Sequence, residues 1–119
     1  MNILIVDDSR TIRNLLCGTL RSAGYEVCQA EDGMEALEKL EGFAPDVIVT
    51  DLNMPRMNGL ELVQKLRQDP RTKFLPILFL TTEGSPEIRQ QGRQAGATGW
   101  LVKPFDATRL LSTIERVTA

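Results

Sequence analysis

The chain has 119 residues, with 14 basic and 16 acidic side chains, a net charge of −2 and no histidine. That length suits one domain with a real core and is too short for two. The near-balance of charge leaves no electrostatic footprint for nucleic acid, and the lack of histidine excludes Ser-His and Cys-His catalysis and most zinc sites. The apolar stretches are strand-length, far short of a membrane span, and Met1 leads directly into the first of them without a charged leader. A soluble, cytoplasmic module with no membrane insertion is expected. Cys17 and Cys28 are too few for a disulfide framework and read as reduced packing thiols.

Ile3-Leu4-Ile5-Val6 opens the chain and runs into Asp7-Asp8. Four apolar residues without alternation read as a strand buried on both faces, the mark of a parallel sheet covered by helices. Ser9 can cap a helix whose stripe is Ile12, Leu15, Leu16, Leu20 and Ala23, with Gly24 as a left-handed stop. Tyr25 to Ala30 reads as a second strand. Asp32 can cap a helix carrying Met34, Leu37 and Leu40 inward, ending near Gly42.

Val47-Ile48-Val49-Thr50 is the third strand and delivers Asp51. The stretch from Leu52 to Gly59 is rich in turn formers, and Leu60 to Arg67 follows as a helix with Leu62, Val63 and Leu66 inward, broken by Asp69-Pro70. Ile77-Leu78-Phe79-Leu80 leads to Thr81. Ser85-Pro86-Glu87 then starts a helix with little to bury, because it holds Gly92, Ala95 and Gly96. Trp100-Leu101-Val102 ends in Lys103, and Asp106 can cap a last helix with Leu110, Leu111, Ile114 and Val117 inward.

Five strand-helix units predict an α/β fold, a five-stranded, doubly wound parallel sheet with helices on both faces. Ligands of such sheets bind outside the carboxyl ends of the strands, at the crevice where strand order reverses. The first and third strands are the natural pair to flank it. Three carboxylates, a hydroxyl and an ammonium therefore converge at one sheet edge.

An acidic pair such as Asp7-Asp8 reads on its own as a helix cap and a solvated charge. Asp51, at the end of a second buried strand, changes that, because three crowded carboxylates need something positive to neutralise them. Mg²⁺ suits an oxygen-only set, since it accepts one or two carboxylates and keeps several waters. An accessible carboxylate beside such a cation is a plausible nucleophile toward phosphorus, and Asp51 is the candidate. Thr81 and Lys103 are placed to share the charge of the transferred group, although each alone also reads as an ordinary strand-end residue.

Asp7-Asp8, Thr50-Asp51-Leu52-Asn53-Met54-Pro55 with Met57-Asn58-Gly59, Leu80-Thr81-Thr82-Glu83 and Val102-Lys103-Pro104-Phe105 together resemble the receiver domain of two-component response regulators. The likeness spans the whole chain and is nearest to the stand-alone chemotaxis regulators. It implies strand order 2-1-3-4-5 and a single receiver domain over residues 1–119 with no attached output domain. By the same resemblance Asp51 is the phosphorylation site, taking its phosphoryl group from a phosphohistidine on a sensor histidine kinase. Asp8, Asp51 and the Asn53 backbone carbonyl would bind Mg²⁺, with Asp7 acting through a water.

Lys103 would pair with the phosphoryl oxygens and be joined to Pro104 by a cis bond, and Thr81 would swing to hydrogen-bond the phosphoryl group. Trp100 stands at the family's switch-aromatic position and reads equally as a core tryptophan. The expected role is a monomeric phosphoprotein of a two-component system, acting in chemotaxis on a downstream target such as a flagellar motor switch component. It would catalyse its own phosphorylation and slow dephosphorylation and would not be a conventional enzyme.

Two positions depart from the pattern. Thr82 stands where alanine or glycine is usual, which bears on access to the phosphoryl group, and Asn58 replaces a common aspartate. A phosphorelay intermediate or phosphate sink is compatible with the same residues. A Mg²⁺-dependent aspartyl-phosphate phosphatase or phosphotransferase of the haloacid dehalogenase type would need an acid where Asn53 stands. A flavodoxin-like carrier would need a Ser/Thr-rich phosphate loop after the first strand, and none is there.

Overall fold

The four apolar runs become central or edge strands, and a fifth completes the sheet. A computed structural model describes residues 1–82 and 84–119; Glu83, which closes the Leu80-Thr81-Thr82-Glu83 motif, lies outside the described residues. The elements are β1 (Asn2–Val6), α1 (Arg10–Ser22), β2 (Glu26–Ala30), α2 (Gly33–Lys39), β3 (Val47–Thr50), α3 (Gly59–Gln68), β4 (Ile77–Thr81), α4 (Pro86–Ala95), β5 (Gly99–Val102) and α5 (Ala107–Thr118). The strands pair in parallel in the order β2-β1-β3-β4-β5, as expected.

Alternation along each strand splits the core into two layers. Leu4, Val6, Ile48, Ile77 and Phe79 pack with α2 and α3, while Ile3, Ile5, Val49, Leu80 and Leu101 pack with α1 and α5. Every residue of β3 and β4 is buried, because helices cover both faces of the sheet. Cys17 and Cys28 fall in different layers and are both free. Burial pushes the Cys17 thiol pKa up, consistent with a packing role.

The helix starts follow their caps. The side chains of Ser9, Asp32, Ser85 and Asp106 accept from the backbone amides of Ile12, Glu35, Ile88 and Thr108, and Gly24 takes φ 93° just past α1. Asn58 does more than form a turn. Its side chain accepts from the Glu61 amide at 2.9 Å while Glu61 accepts the Asn58 amide at 3.2 Å, a capping box that fixes where α3 begins.

Three inward assignments fail. Leu15 is 54% exposed and Met34 is 40% exposed, and Ala23 is exposed as the C-cap of α1. The buried arc of α1 runs through Leu16, Cys17 and Leu20, so the helix is rotated toward the thiol and turns Leu15 out. Gly33 and Ala36 are the buried residues of α2, because this short helix lies close against its neighbours and has no room for Met34.

α4 buries only Gly92, as its composition foretold. A Cβ there would stand 2.6 Å from the Trp100 ring, which in turn lies 5.1 Å from the Phe79 ring, centroid to centroid, at 49°. The C-terminal end of α4 is tied by Arg67, whose Nε donates to the Gly96 carbonyl at 2.9 Å and whose Nη1 donates to the Leu75 carbonyl at 2.6 Å. Burial lowers the Arg67 pKa.

Gly59 brings α3 closest to the strand ends. Its amide donates to the Leu52 carbonyl at 2.7 Å, and a Cβ there would collide with the Asp51 carbonyl oxygen and stand 2.7 Å from Phe79 Cε1. Gly59→Ala is therefore expected to lower the free energy of unfolding by about 2 kcal/mol, as overpacking does, when measured by urea denaturation.

Candidate functional site

Register determines which strand ends meet. Val6 pairs with Thr50 across β1 and β3, so the next residues, Asp7 and Asp51, stand side by side. Each is pinned by its own amide, Asp7 to the Ala30 carbonyl at 3.0 Å and Asp51 to the Val6 carbonyl at 2.8 Å. Thr81 pairs with Val102, which puts Lys103 one step past β5, and the Lys103 amide donates to the Thr81 carbonyl at 2.9 Å. Asp7, Asp51 and Lys103 each follow by two residues a side chain of the α1/α5 layer, namely Ile5, Val49 and Leu101. Thr81 instead follows Phe79, in the other layer, and is buried.

Lys103 Nζ lies 2.8 Å from Asp7 Oδ2 and 3.1 Å from Asp51 Oδ2, bridging two carboxylates 44 positions apart in the chain. The other oxygens are also held. Asp7 Oδ1 accepts the Ser9 amide at 2.9 Å, and Asp51 Oδ1 accepts the Leu52 amide at 2.7 Å. Desolvation by burial raises the Asp7 pKa despite the Lys103 hydrogen bond, and the nearby Asp51 charge acts in the same direction. Burial alone would lower the Lys103 pKa, but its hydrogen bonds to Asp7 and Asp51 prevail and raise it.

Asp8 is exposed beside this buried pair, and Asp7, Asp8 and Asp51 each bring a carboxylate oxygen within 4.8 Å of the others. Asn53 is exposed in the loop after Asp51, and Thr82 is exposed beyond Thr81. The Lys103–Pro104 bond is cis. Trp100 is half-buried in β5, under α4, so the structure brings it to α4 and away from the carboxylates.

Two arginines escape the sequence reading. Arg13 Nη1 donates to the Asp7 carbonyl at 2.6 Å and its Nε to Gln29 Oε1 at 3.3 Å, bracing the end of β1 from α1. Its place one turn after Ser9 is the only signal that points to this. Arg56 forms a two-pronged ion pair with buried Asp32, Nε to Oδ2 at 2.7 Å and Nη2 to Oδ1 at 3.0 Å. Nothing local marks a pairing across 24 residues.

Residues 3–115 match the family model described as the response regulator receiver domain. The chain is 46% identical to the chemotaxis protein CheY1 of Helicobacter pylori, over 98% of this chain and 96% of that one. The solved structure of Vibrio cholerae CheY4 is 53% identical with a TM-score of 0.94, covering 98% and 97% of the two chains. At 29% identity and a TM-score of 0.90, the receiver domain of a Pseudomonas aeruginosa sensor histidine kinase covers 98% of this chain and 96% of its own. That protein is described with a magnesium ion coordinated in its active site cleft.

Lys103→Met would leave Asp7 and Asp51 facing each other without a counter-charge. In chelator at pH 7 this is expected to cost about 3 kcal/mol of stability in urea, the scale for breaking a buried pair. A raised lysine pKa contributes stability that is fully present below the unfolded value and is lost as pH rises through the folded one. A raised aspartate pKa works against the folded state above its titration range. The deficit of the variant should accordingly hold at pH 7, fade at alkaline pH as wild-type Lys103 loses its proton, and shrink on acidification as Asp7 takes one up.

Proposed function

This chain belongs to the response regulator receiver domain family, and on that premise we propose that it is a single-domain chemotaxis-type regulator switched by phosphorylation of Asp51. The observation that carries the reading is the Lys103 ammonium held between Asp7 and Asp51 at the carboxyl edge of the sheet. The phosphoryl donor is a phosphohistidine of a sensor histidine kinase, which accounts for a chain with no histidine of its own. A carboxylate oxygen of Asp51 bonds to phosphorus as the P–N bond breaks, and the electron pair goes to the departing imidazole nitrogen, which takes a proton from solvent water.

The donor set fits a hard divalent cation. Three carboxylate oxygens lie within 4.8 Å, Lys103 offers one positive charge against them, and ionising Asp7 is already disfavoured by burial. Asp8, Asp51 and the Asn53 carbonyl would hold Mg²⁺ and Asp7 would act through a water; when bound, the ion neutralises charge on the phosphoryl oxygens. Lys103 is placed to turn from the free carboxylates to the phosphoryl group. Thr81 offers its hydroxyl from the α4 side of the sheet.

New charge-assisted bonds of roughly 1.5–3 kcal/mol each, two of them together, approach the ~5.5 kcal/mol needed to swing a two-state equilibrium from mostly off to mostly on. α4 is the element most readily displaced. The output surface is then the groove of about 340 Å³ between β5, α4 and α5, lined by Trp100, Phe105, Arg89, Arg109 and Arg116. Its target is a protein such as a flagellar motor switch component, met by a cytoplasmic monomer. No helix among the described residues is long and apolar enough to cross a membrane. Likeness to a receiver domain of a sensor kinase favours a second use of the same chemistry, as a relay intermediate or phosphate sink, and back-transfer from Asp51 to a histidine phosphotransfer domain distinguishes it.

With MgCl₂ and a small phosphodonor, wild type is expected to gain the mass of one phosphoryl group and to change Trp100 fluorescence, and Asp51→Asn to do neither. An unchanged adduct on Asp51→Asn would sink the assignment. Thr81→Ala is expected to take up the phosphoryl group yet lose most of the fluorescence response, which separates the acceptor from the reporter.

A further inference from the structure

Arg56 is the only residue other than glycine with positive φ, 62°, among the described residues. It is the centre of a three-residue turn in which the Met57 amide donates to the Pro55 carbonyl at 2.6 Å. A left-handed arginine is strained and persists only where its surroundings over-determine it. Here the N-terminus of α2 does so. The Asp32 carboxylate takes both prongs of the guanidinium, and the Gly33 amide donates to the Met57 carbonyl at 3.4 Å. The buried Met57 side chain fills the place a Cβ on Gly33 would need, 2.8 Å from Cγ.

The turn joining β2 to α2 therefore grips both banks of the acidic site while giving it no ligand. Its Ala30 carbonyl anchors the Asp7 amide, and its Asp32-Gly33 step anchors the tip of the loop that leaves Asp51 and carries Asn53. As a surface contribution to stability the pair is modest, because Arg56 is half exposed. Its geometry ties the tip of the 52–58 loop to the start of α2.

We propose that Asp32 and Arg56 are a positioning pair that holds the 52–58 loop at the spacing a divalent cation needs between the end of β1 and the Asn53 carbonyl. This rests on the receiver reading of the acidic cluster. At Arg56 the sign of the effect separates positioning from plain electrostatics. Removing a positive charge from the protein would by itself tighten cation binding, whereas loss of a positioning contact weakens it.

The test is titration of the metal-free protein with MgCl₂ by calorimetry and Trp100 fluorescence, for wild type, Arg56→Gly, Arg56→Lys, Asp32→Asn and the double variant Arg56→Gly with Asp32→Asn. Glycine relieves the backbone strain and asparagine keeps an oxygen to cap α2, so these variants are expected to fold, with urea midpoints near wild type. Arg56→Gly and Asp32→Asn should each weaken Mg²⁺ binding by about 10-fold, the low end for losing an outer-shell partner. The double variant should be no weaker than either single one, and Arg56→Lys should recover part of the loss. Equal or tighter binding by Arg56→Gly, or additive losses in the double variant, would overturn the proposal. If wild type itself neither binds Mg²⁺ nor takes up a phosphoryl group, the receiver reading fails as well.

Discussion

One ammonium between two carboxylates organises this molecule. Asp7 and Asp51 are delivered side by side by a parallel register that places nothing between them, and their mutual repulsion in a buried corner is offset by Lys103 at 2.8 and 3.1 Å. The fifth strand has to reach the same edge for that to happen, so the order β2-β1-β3-β4-β5 and the charge balance of the site are one constraint. A buried ion pair is a weak source of net stability, but removing one partner of it is costly. Loss of Lys103 would leave two buried carboxylates facing each other without a counter-charge.

Supports around that pair come from elements that supply no reactive group. Arg13 braces the Asp7 carbonyl from α1, and the Asp32-Gly33 step holds the loop beyond Asp51. Gly59 lets α3 begin against the Asp51 carbonyl oxygen itself. The supports of Arg13 and Gly59 act at the backbone carbonyls of Asp7 and Asp51, and the third joins the Asp32 and Arg56 side chains. The two-layer core keeps the roles apart, with Asp7, Asp51 and Lys103 continuing the α1/α5 side and Thr81 continuing the side that α4 covers.

Much of this was legible in the residues because it is local. The buried runs, the caps at Ser9, Asp32, Ser85 and Asp106, and the polar residue closing each run all depend on neighbours within four positions. Leu15 and Met34 were misplaced because a helical stripe gives the apolar side without its exact rotation, which is decided by how the helix sits on a twisted sheet. Arg56 with Asp32 was out of reach for a different reason, since an exposed arginine in a turn-rich loop has many candidate acids and only the fold picks one. Arg67 gave no signal either, because its partners are backbone carbonyls, which every residue has.

Gly92 is the buried residue of α4, and a Cβ there would stand 2.6 Å from the Trp100 ring. Helices normally lock by seating side-chain ridges in grooves, and those interdigitated teeth resist sliding. At Gly92 α4 has no tooth, and only the half-buried Ile88 and Ala95 seat side chains on the core, while Arg67 clamps the far end of the helix at Gly96. The helix is therefore gripped more firmly at its C-terminal end, by the reach of one arginine, than along its length, where two small contacts and a glycine meet the sheet.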